Sequence, residues 1–221
     1  MKKLLVVLFA VLMLTACGAP ADDNNTAGET QNEVAQLPAT IDTTKTYKPS
    51  KDAEEAPCEA GVYSPACSSI NKDNLTQYLG REDVVYIDLR DYEDYAKKHL
   101  KGFEVVPYFA AVFNAEAGTE GKPQLFGGEV TAPVATYEQS VSILNQFVPK
   151  DKTVFLMCQS GGRVVNMMKL LEANGYDMTK IYNVGGMGQF TTPDFREYTT
   201  DTAEFTVAAN YSFEGLTPAA K

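Results

Sequence analysis

The chain has 221 residues, with 29 acidic against 19 basic side chains and a formal net charge of −10. That balance excludes nucleic-acid binding, which needs a basic face, and it offers no polybasic patch for anionic lipid. The length accommodates one ordinary domain with appendages.

In chain order, Lys2 and Lys3 precede eleven consecutive apolar residues, Leu4 to Leu14. This is a charged stretch followed by an apolar run too short to span a bilayer comfortably. Leu14-Thr15-Ala16-Cys17 then resembles the lipobox of bacterial lipoproteins. The resemblance implies that 1–16 is a lipoprotein signal peptide, and that Cys17 and its new N-terminus are acylated. A plain signal peptide or an uncleaved anchor is the alternative. Loss of Lys2 and Lys3 would leave the mature chain near −12. Its lipid chains would hold it on the cell membrane, at the extracytoplasmic face, with no transmembrane helix. Gly18 after Cys17 indicates only that an Asp retention signal is absent, so the envelope type stays open.

From Gly18 to Thr46 there is no aromatic residue and few large aliphatics. Such composition cannot bury enough apolar surface to offset ordering, so 17–57 is expected to be a lipidated cysteine with a flexible tether. Cys58 and Cys67 bound an entry loop, 58–67, containing Pro65. Outside the cytoplasm such a pair is expected to form a disulfide. The alternative is that both stay reduced and exchange with Cys158, although no C-x-x-C redox motif is present.

From residue 68 the pattern becomes regular. Asn71 to Leu79 reads as a short helix stopped by Gly80. Val84 to Asp88 reads as a buried strand, Tyr92 to Lys98 as a helical stretch, and Glu104 to Pro107 as a short strand. Phe109 to Thr136 reads as irregular, a lid, a partner surface or simply extra surface loop. Tyr137, Val141, Leu144 and Val148 mark a helix face. Thr153 to Met157 is an apolar, β-rich run leading into Cys158-Gln159-Ser160-Gly161-Gly162-Arg163. A helical pattern follows (Val164, Met167, Met168, Leu171) and stops at Asn174-Gly175. Lys180 to Val184 is a last strand before Gly185-Gly186. Strands alternating with helices predict an α/β fold in three layers, a central parallel sheet with helices on both faces. In such sheets sites form at the carboxyl ends of strands, which is where Cys158 lies.

The thiol of Cys158 is therefore expected in a glycine-bearing loop that opens a helix. Successive loop N–H groups and the helix N-terminus create positive potential there, which favours an exposed, nucleophilic thiolate. A buried, inert structural thiol is the competing reading. A single histidine and no second cysteine cluster supply no zinc ligand set, and no cofactor or metal is called for.

Four separated segments resemble a single rhodanese-like domain, spanning about Ser68 to Tyr198 of an expected domain at 68–200. Tyr86-Ile87-Asp88-Leu89-Arg90 resembles the family's strand ending in Asp-x-Arg. Tyr92-Glu93-Asp94-Tyr95 with His99-Leu100-Lys101-Gly102 resembles its E-x-x-x-G-H-I-x-G-A segment, with Lys98 in place of the usual glycine. Cys158 to Arg163 matches its C-x-x-G-x-R loop, with Val164 where Ser or Ala is common. Asn183-Val184-Gly185-Gly186-Met187 resembles its later strand and turn, and Phe190 stands near the usual tryptophan. The tail at 201–221 has no counterpart in the resemblance.

The resemblance implies sulfur transfer through a persulfide on Cys158. A thiosulfate-like small donor supplies sulfur and a thiophilic acceptor, or a protein acceptor, removes it. The N–H groups from Gln159 to Arg163 would stabilise the anion. Gly161 and Gly162 permit the loop's backbone angles, and Gln159 and Ser160 project to tune substrate fit. Arg163 is expected first to order the loop, through its carbonyls or a neighbouring carboxylate, and second to contact substrate. Asp88, Arg90 and His99 are expected to be structural supports. Four residues separate Cys158 from Arg163. Phosphatases and arsenate reductases on the related fold resemble C-x5-R, whose wider cradle fits a tetrahedral oxyanion. The shorter loop fits a single sulfur atom. Two other readings stand beside the enzyme: a non-catalytic or persulfide-carrying module that binds a protein partner, and a thiol redox sensor.

Overall fold

The computed structural model describes residues 36–200 and 207–220. Its strands are β1 (Thr46–Tyr47), β2 (Ala56–Pro57), β3 (Val84–Asp88), β4 (Glu104–Val105), β5 (Phe126–Glu129), β6 (Ala132–Ala135), β7 (Thr153–Cys158) and β8 (Ile181–Gly186). Its α-helices are α1 (Tyr92–Lys97), α2 (Ser140–Phe147) and α3 (Gly162–Ala173). The central sheet has the order β4-β3-β7-β8 and every pairing in it is parallel. Among the described residues no helix is long and apolar enough to cross a membrane.

β3, β7 and β8 are apolar almost throughout because the sheet is covered on both faces. The period of two sorts their side chains. Val154, Leu156, Cys158 and Ile181 join a core with Leu144 of α2 and with Val164, Met167, Leu170 and Leu171 of α3. Val84, Tyr86, Phe155, Met157, Tyr182 and Val184 join a second core with Ile70, Leu75, Tyr78, Met187 and Phe190. Helical elements thus lie on both faces, α-helices on the first and short 3-10 turns (Leu75–Tyr78 and Met187–Gln189) on the second. The helix expected over 71–79 is only that first turn.

The register slips once. Leu156 pairs with Asn183, but Cys158 pairs with Gly186, so β8 carries one extra residue. Gly185 absorbs it at φ 87°. α3 ends in a Schellman-type stop: Gly175 N–H donates to Glu172 O at 2.9 Å and Tyr176 N–H to Leu171 O at 3.1 Å.

Three further expectations change. Residues 36–57, expected to be tether, pack on the domain. Tyr182 donates to Pro38 O at 2.6 Å, Asp42 N–H to Cys67 O at 2.8 Å, and β1 pairs with β2. Residues 109–136 contain an antiparallel hairpin, β5–β6. Its first strand, Phe126-Gly127-Gly128-Glu129, has too few side chains to show an alternating pattern. The α2 face is Ser140 and Leu144, with Ile143 packed beside them, while Val141 is 46% exposed. The reason is Ser140, whose hydroxyl donates to Leu125 O at 2.7 Å and accepts from Tyr137 N–H at 3.0 Å, setting the helix rotation.

The C-terminal tail, which has no counterpart in the resemblance, forms a strap in its described part. Ala209 N–H donates to Glu93 at 3.0 Å, Phe213 stacks on Tyr137 at 5.9 Å, and Ala219 N–H donates to Thr136 O at 2.9 Å. The expected signal peptide at 1–16, Cys17 and the first part of the expected tether lie outside the described residues.

Candidate active site

Cys158 closes β7 and Gly162 opens α3, so the loop between them has three residues in which to reverse direction. Gly161 makes the reversal at φ 92°, ψ −13°, a conformation that L side chains resist. Its N–H then points back and donates to Cys158 Sγ at 3.1 Å. The first N–H groups of α3 have no intrahelical partner by helix geometry, and they add the positive end of the helix dipole.

The thiol is not exposed as expected. Cys158 is 1% exposed, on the α3 face of the sheet, while Gln159 and Ser160 stand out in solvent. This burial counts against a freely oxidised sensor thiol.

Two further elements hold the loop. Gly188 N–H donates to Gln159 O at 3.1 Å. Gly186 lies so close beneath the loop that a Cβ there would overlap the Gln159 carbonyl and Ser160 N. Asn183, buried in β8, donates through Nδ2 to Tyr63 O at 2.8 Å and to Gly161 O at 3.3 Å, and accepts from Gly185 N–H at 3.1 Å. Packed against Gly161 stands Pro65, inside the loop closed by the Cys58–Cys67 disulfide. Burial, reinforced by the Glu172 carboxylate, pushes the Tyr63 phenol up.

Arg163 reaches outward from α3. Nη1 donates to Leu89 O at 3.4 Å and lies 3.8 Å from Asp91 Oδ2, and the guanidinium sits 5.4 Å from the Phe109 ring centre. Its partners are therefore a neighbouring carboxylate and a carbonyl beyond β3, not the carbonyls of its own loop. Phe109 is half exposed, so an aromatic face and a partly neutralised guanidinium flank the loop.

Asp88 and Arg90 form a buried pair, Nη2 to Oδ2 at 2.7 Å and Nε to Oδ2 at 2.9 Å. Arg90 also donates to Lys98 O at 2.7 Å and Asp94 O at 3.3 Å, holding the end of α1. His99 stacks on Tyr95 at 3.7 Å, and its Nδ1 lies 2.8 Å from Tyr95 O. Neither group touches the Cys158 loop. They fix the segment on which Leu89 and Asp91 meet Arg163. The site also includes Tyr63, Pro65, Asp91, Phe109 and Asn183, to which sequence reasoning assigned no role. Asn183 alone carried a signal, a polar residue inside an apolar strand. A groove of about 650 Å³ lined by Thr119, Pro123, Val134 and Tyr137 contains no residue of the Cys158 loop.

The model of the rhodanese-like domain matches residues 71–192. A solved structure, a rhodanese with anions from E. coli, is 21% identical over 53% of this chain and 98% of that chain, with a TM-score of 0.32. No curated protein matches the chain.

Proposed function

The chain belongs to the rhodanese-like domain family, and from that premise we propose that it is a sulfurtransferase that carries sulfane sulfur on Cys158. The observation that carries the reading is the Gly161 N–H directed at Cys158 Sγ from a loop that opens α3. In the first step the Cys158 thiolate attacks the outer sulfur of thiosulfate. The new S–S bond forms as the S–S bond of the donor breaks, and sulfite leaves with the electron pair. In the second, cyanide or an acceptor thiolate attacks the outer sulfur of Cys158-S-S⁻. Thiocyanate or the acceptor persulfide leaves, and the Cys158 thiolate returns.

Gly161 N–H and the α3 N-terminus supply donors for the anion in each state. Arg163 is a single cation already beside Asp91, so it contributes orientation more than charge to an anionic donor. The chain acts from the extracytoplasmic face of the membrane, anchored through Cys17. That placement rests on the lipobox-like Leu14-Thr15-Ala16-Cys17, and the disulfide suits an oxidising compartment. Its partners are a small sulfur donor and a thiophilic acceptor, which includes a protein thiol.

The test is the intact mass of the chain from residue 36, incubated with thiosulfate and then with cyanide. The expected result is a gain of about one sulfur atom, reversed by cyanide with thiocyanate released, and lost in a folded Cys158→Ser variant. Retained loading in Cys158→Ser refutes the assignment. Absence of any adduct from thiosulfate or polysulfide in the parent chain leaves a partner-binding role for the same loop.

A further inference from the structure

The Cys158 loop is held from outside the sheet by a segment that precedes the rhodanese-like match. Its geometry is specific. Gly161 is packed so that a Cβ would fall 2.7 Å from Pro65 Cγ and 2.9 Å from Pro65 Cβ. Asn183 spans the same gap with hydrogen bonds, one Nδ2 serving Tyr63 O at 2.8 Å and Gly161 O at 3.3 Å. Tyr63 and Pro65 lie between Cys58 and Cys67, both buried and joined by the disulfide.

Besides that bond, the loop is held by Tyr63, which is buried in the core, and by a few backbone hydrogen bonds. It contains one 3-10 turn, Pro65–Cys67, capped by Ser64, with Cys58 N–H donating to Lys45 O and Asp42 N–H to Cys67 O. The disulfide restricts the conformations open to this short irregular loop.

Resting on the persulfide reading above, we infer that the Cys58–Cys67 loop is a redox-dependent clamp on the sulfur-carrying loop, with Tyr63, Pro65 and Asn183 as positioning residues. While the disulfide is closed, the Tyr63 carbonyl and the Pro65 ring fix Gly161, and Gly161 fixes its N–H on the sulfur. A dithiol reductant opens the clamp. It gives two electrons and two protons, becomes a disulfide itself, and leaves Cys58 and Cys67 as thiols. The loop then keeps its residues but loses its fixed aim, and sulfur transfer slows. The clamp binds no donor, so its loss falls on turnover and not on donor affinity.

The experiment uses the full ¹⁵N-labelled chain in three forms besides the parent. Cys58→Ala/Cys67→Ala opens the clamp without a reductant that would also strip the persulfide. Asn183→Asp and Pro65→Ala keep the disulfide and weaken the clamp from either side. Two readouts are taken on each: the Gly161 amide resonance, and kcat and KM for thiosulfate-to-cyanide transfer. The expected result is a displaced Gly161 resonance, a kcat lower by about ten- to a hundredfold, and a KM within about twofold of the parent, the size of loss that misplacing a reacting group brings. An unmoved Gly161 resonance with unchanged kcat overturns the clamp and leaves sulfur transfer standing. A displaced resonance in chains that transfer no sulfur, parent included, upholds the clamp and overturns the persulfide reading. Should the double variant fail to fold, the two disulfide-intact variants decide by the same criteria.

Discussion

Adjacent glycines at 161 and 162 should respond to alanine in opposite directions. At Gly161 two costs add. The backbone sits at φ +92°, and left-handed backbone costs an L residue about 1–2 kcal/mol. The new methyl would also lie 2.7 Å and 2.9 Å from ring atoms of Pro65. That ring belongs to a disulfide-closed loop and cannot swing aside, and overpacking of this kind costs about 1–3 kcal/mol. The sum is about 2–5 kcal/mol, or a fall in Tm of roughly 4–20 °C at about 2–4 °C per kcal/mol for a chain of this size. At Gly162 no atom lies within 4 Å of the Cβ position, and the residue is the first of α3. Alanine there gains about 0.5–1 kcal/mol from helix propensity and a less free unfolded chain. Thermal and urea unfolding of the parent and the two variants make the comparison, with thiocyanate release as a second readout for Gly161→Ala, which should also lose transfer as its N–H leaves the sulfur. A Gly161→Ala chain that unfolds within about 1 kcal/mol of the parent would falsify the packing argument, because 1 kcal/mol is below the lowest sum of the two costs.

Replacing Arg90 by Met should cost about 3–5 kcal/mol, since it strands the buried Asp88 carboxylate. An unfolding midpoint equal to the parent's would show that this buried pair does not hold the fold. His99→Ala should lose about 1–2 kcal/mol, from its ring stack and its hydrogen bond to Tyr95 O, with the transfer rate per folded molecule kept within about twofold. A hundredfold fall in that rate would instead make His99 part of the chemistry. Burial raises the Tyr108 and Tyr176 phenols well above their ordinary value of 10.0. Folded values above the unfolded ones leave stability intact below pH ~10 and erode it above, by about 1.4 kcal/mol per pH unit for each tyrosine. Urea unfolding from pH 8 to 11 should be flat and then fall. Tyr63 is raised in the same way, so Tyr108→Phe should lessen that fall by one tyrosine's share, about 1.4 kcal/mol per pH unit, and an unchanged slope would mean other groups drive it.

Much of the fold was legible because its signals are local. Val84 to Asp88 and Thr153 to Cys158 are apolar runs of strand length, and each became a central strand. Val164, Met167, Met168 and Leu171 repeat at helical spacing, and each is buried in α3. Asp88, Arg90 and His99 were expected to be structural; Asp88 and Arg90 pair with each other, Arg90 bonds Asp94 O and Lys98 O at the end of α1, and His99 packs on Tyr95 and bonds Thr200. Legibility stopped where a segment's fate depends on distant chain. Residues 36–57 and 207–220 carry too little apolar pattern to announce themselves. They dock largely by backbone hydrogen bonds, such as Asp42 to Cys67 and Ala219 to Thr136, and every residue type can make those.

The same division runs through the site. The order of residues by itself determined that a cysteine would end a strand, turn through glycines and meet a helix N-terminus. Propensity, apolar periodicity and the steric freedom of glycine all act within a few residues. Only the tertiary structure decided what closes around that cysteine. Asn183 meets Tyr63 across 120 residues, and Arg163 meets Leu89 across 74. Pro65 fills the space in front of Gly161. A one-residue bulge in β8 decides whether a glycine or a side chain lies under the loop. Such contacts depend on sheet order, register and the approach of segments far apart in the chain, quantities that no short stretch of residues encodes.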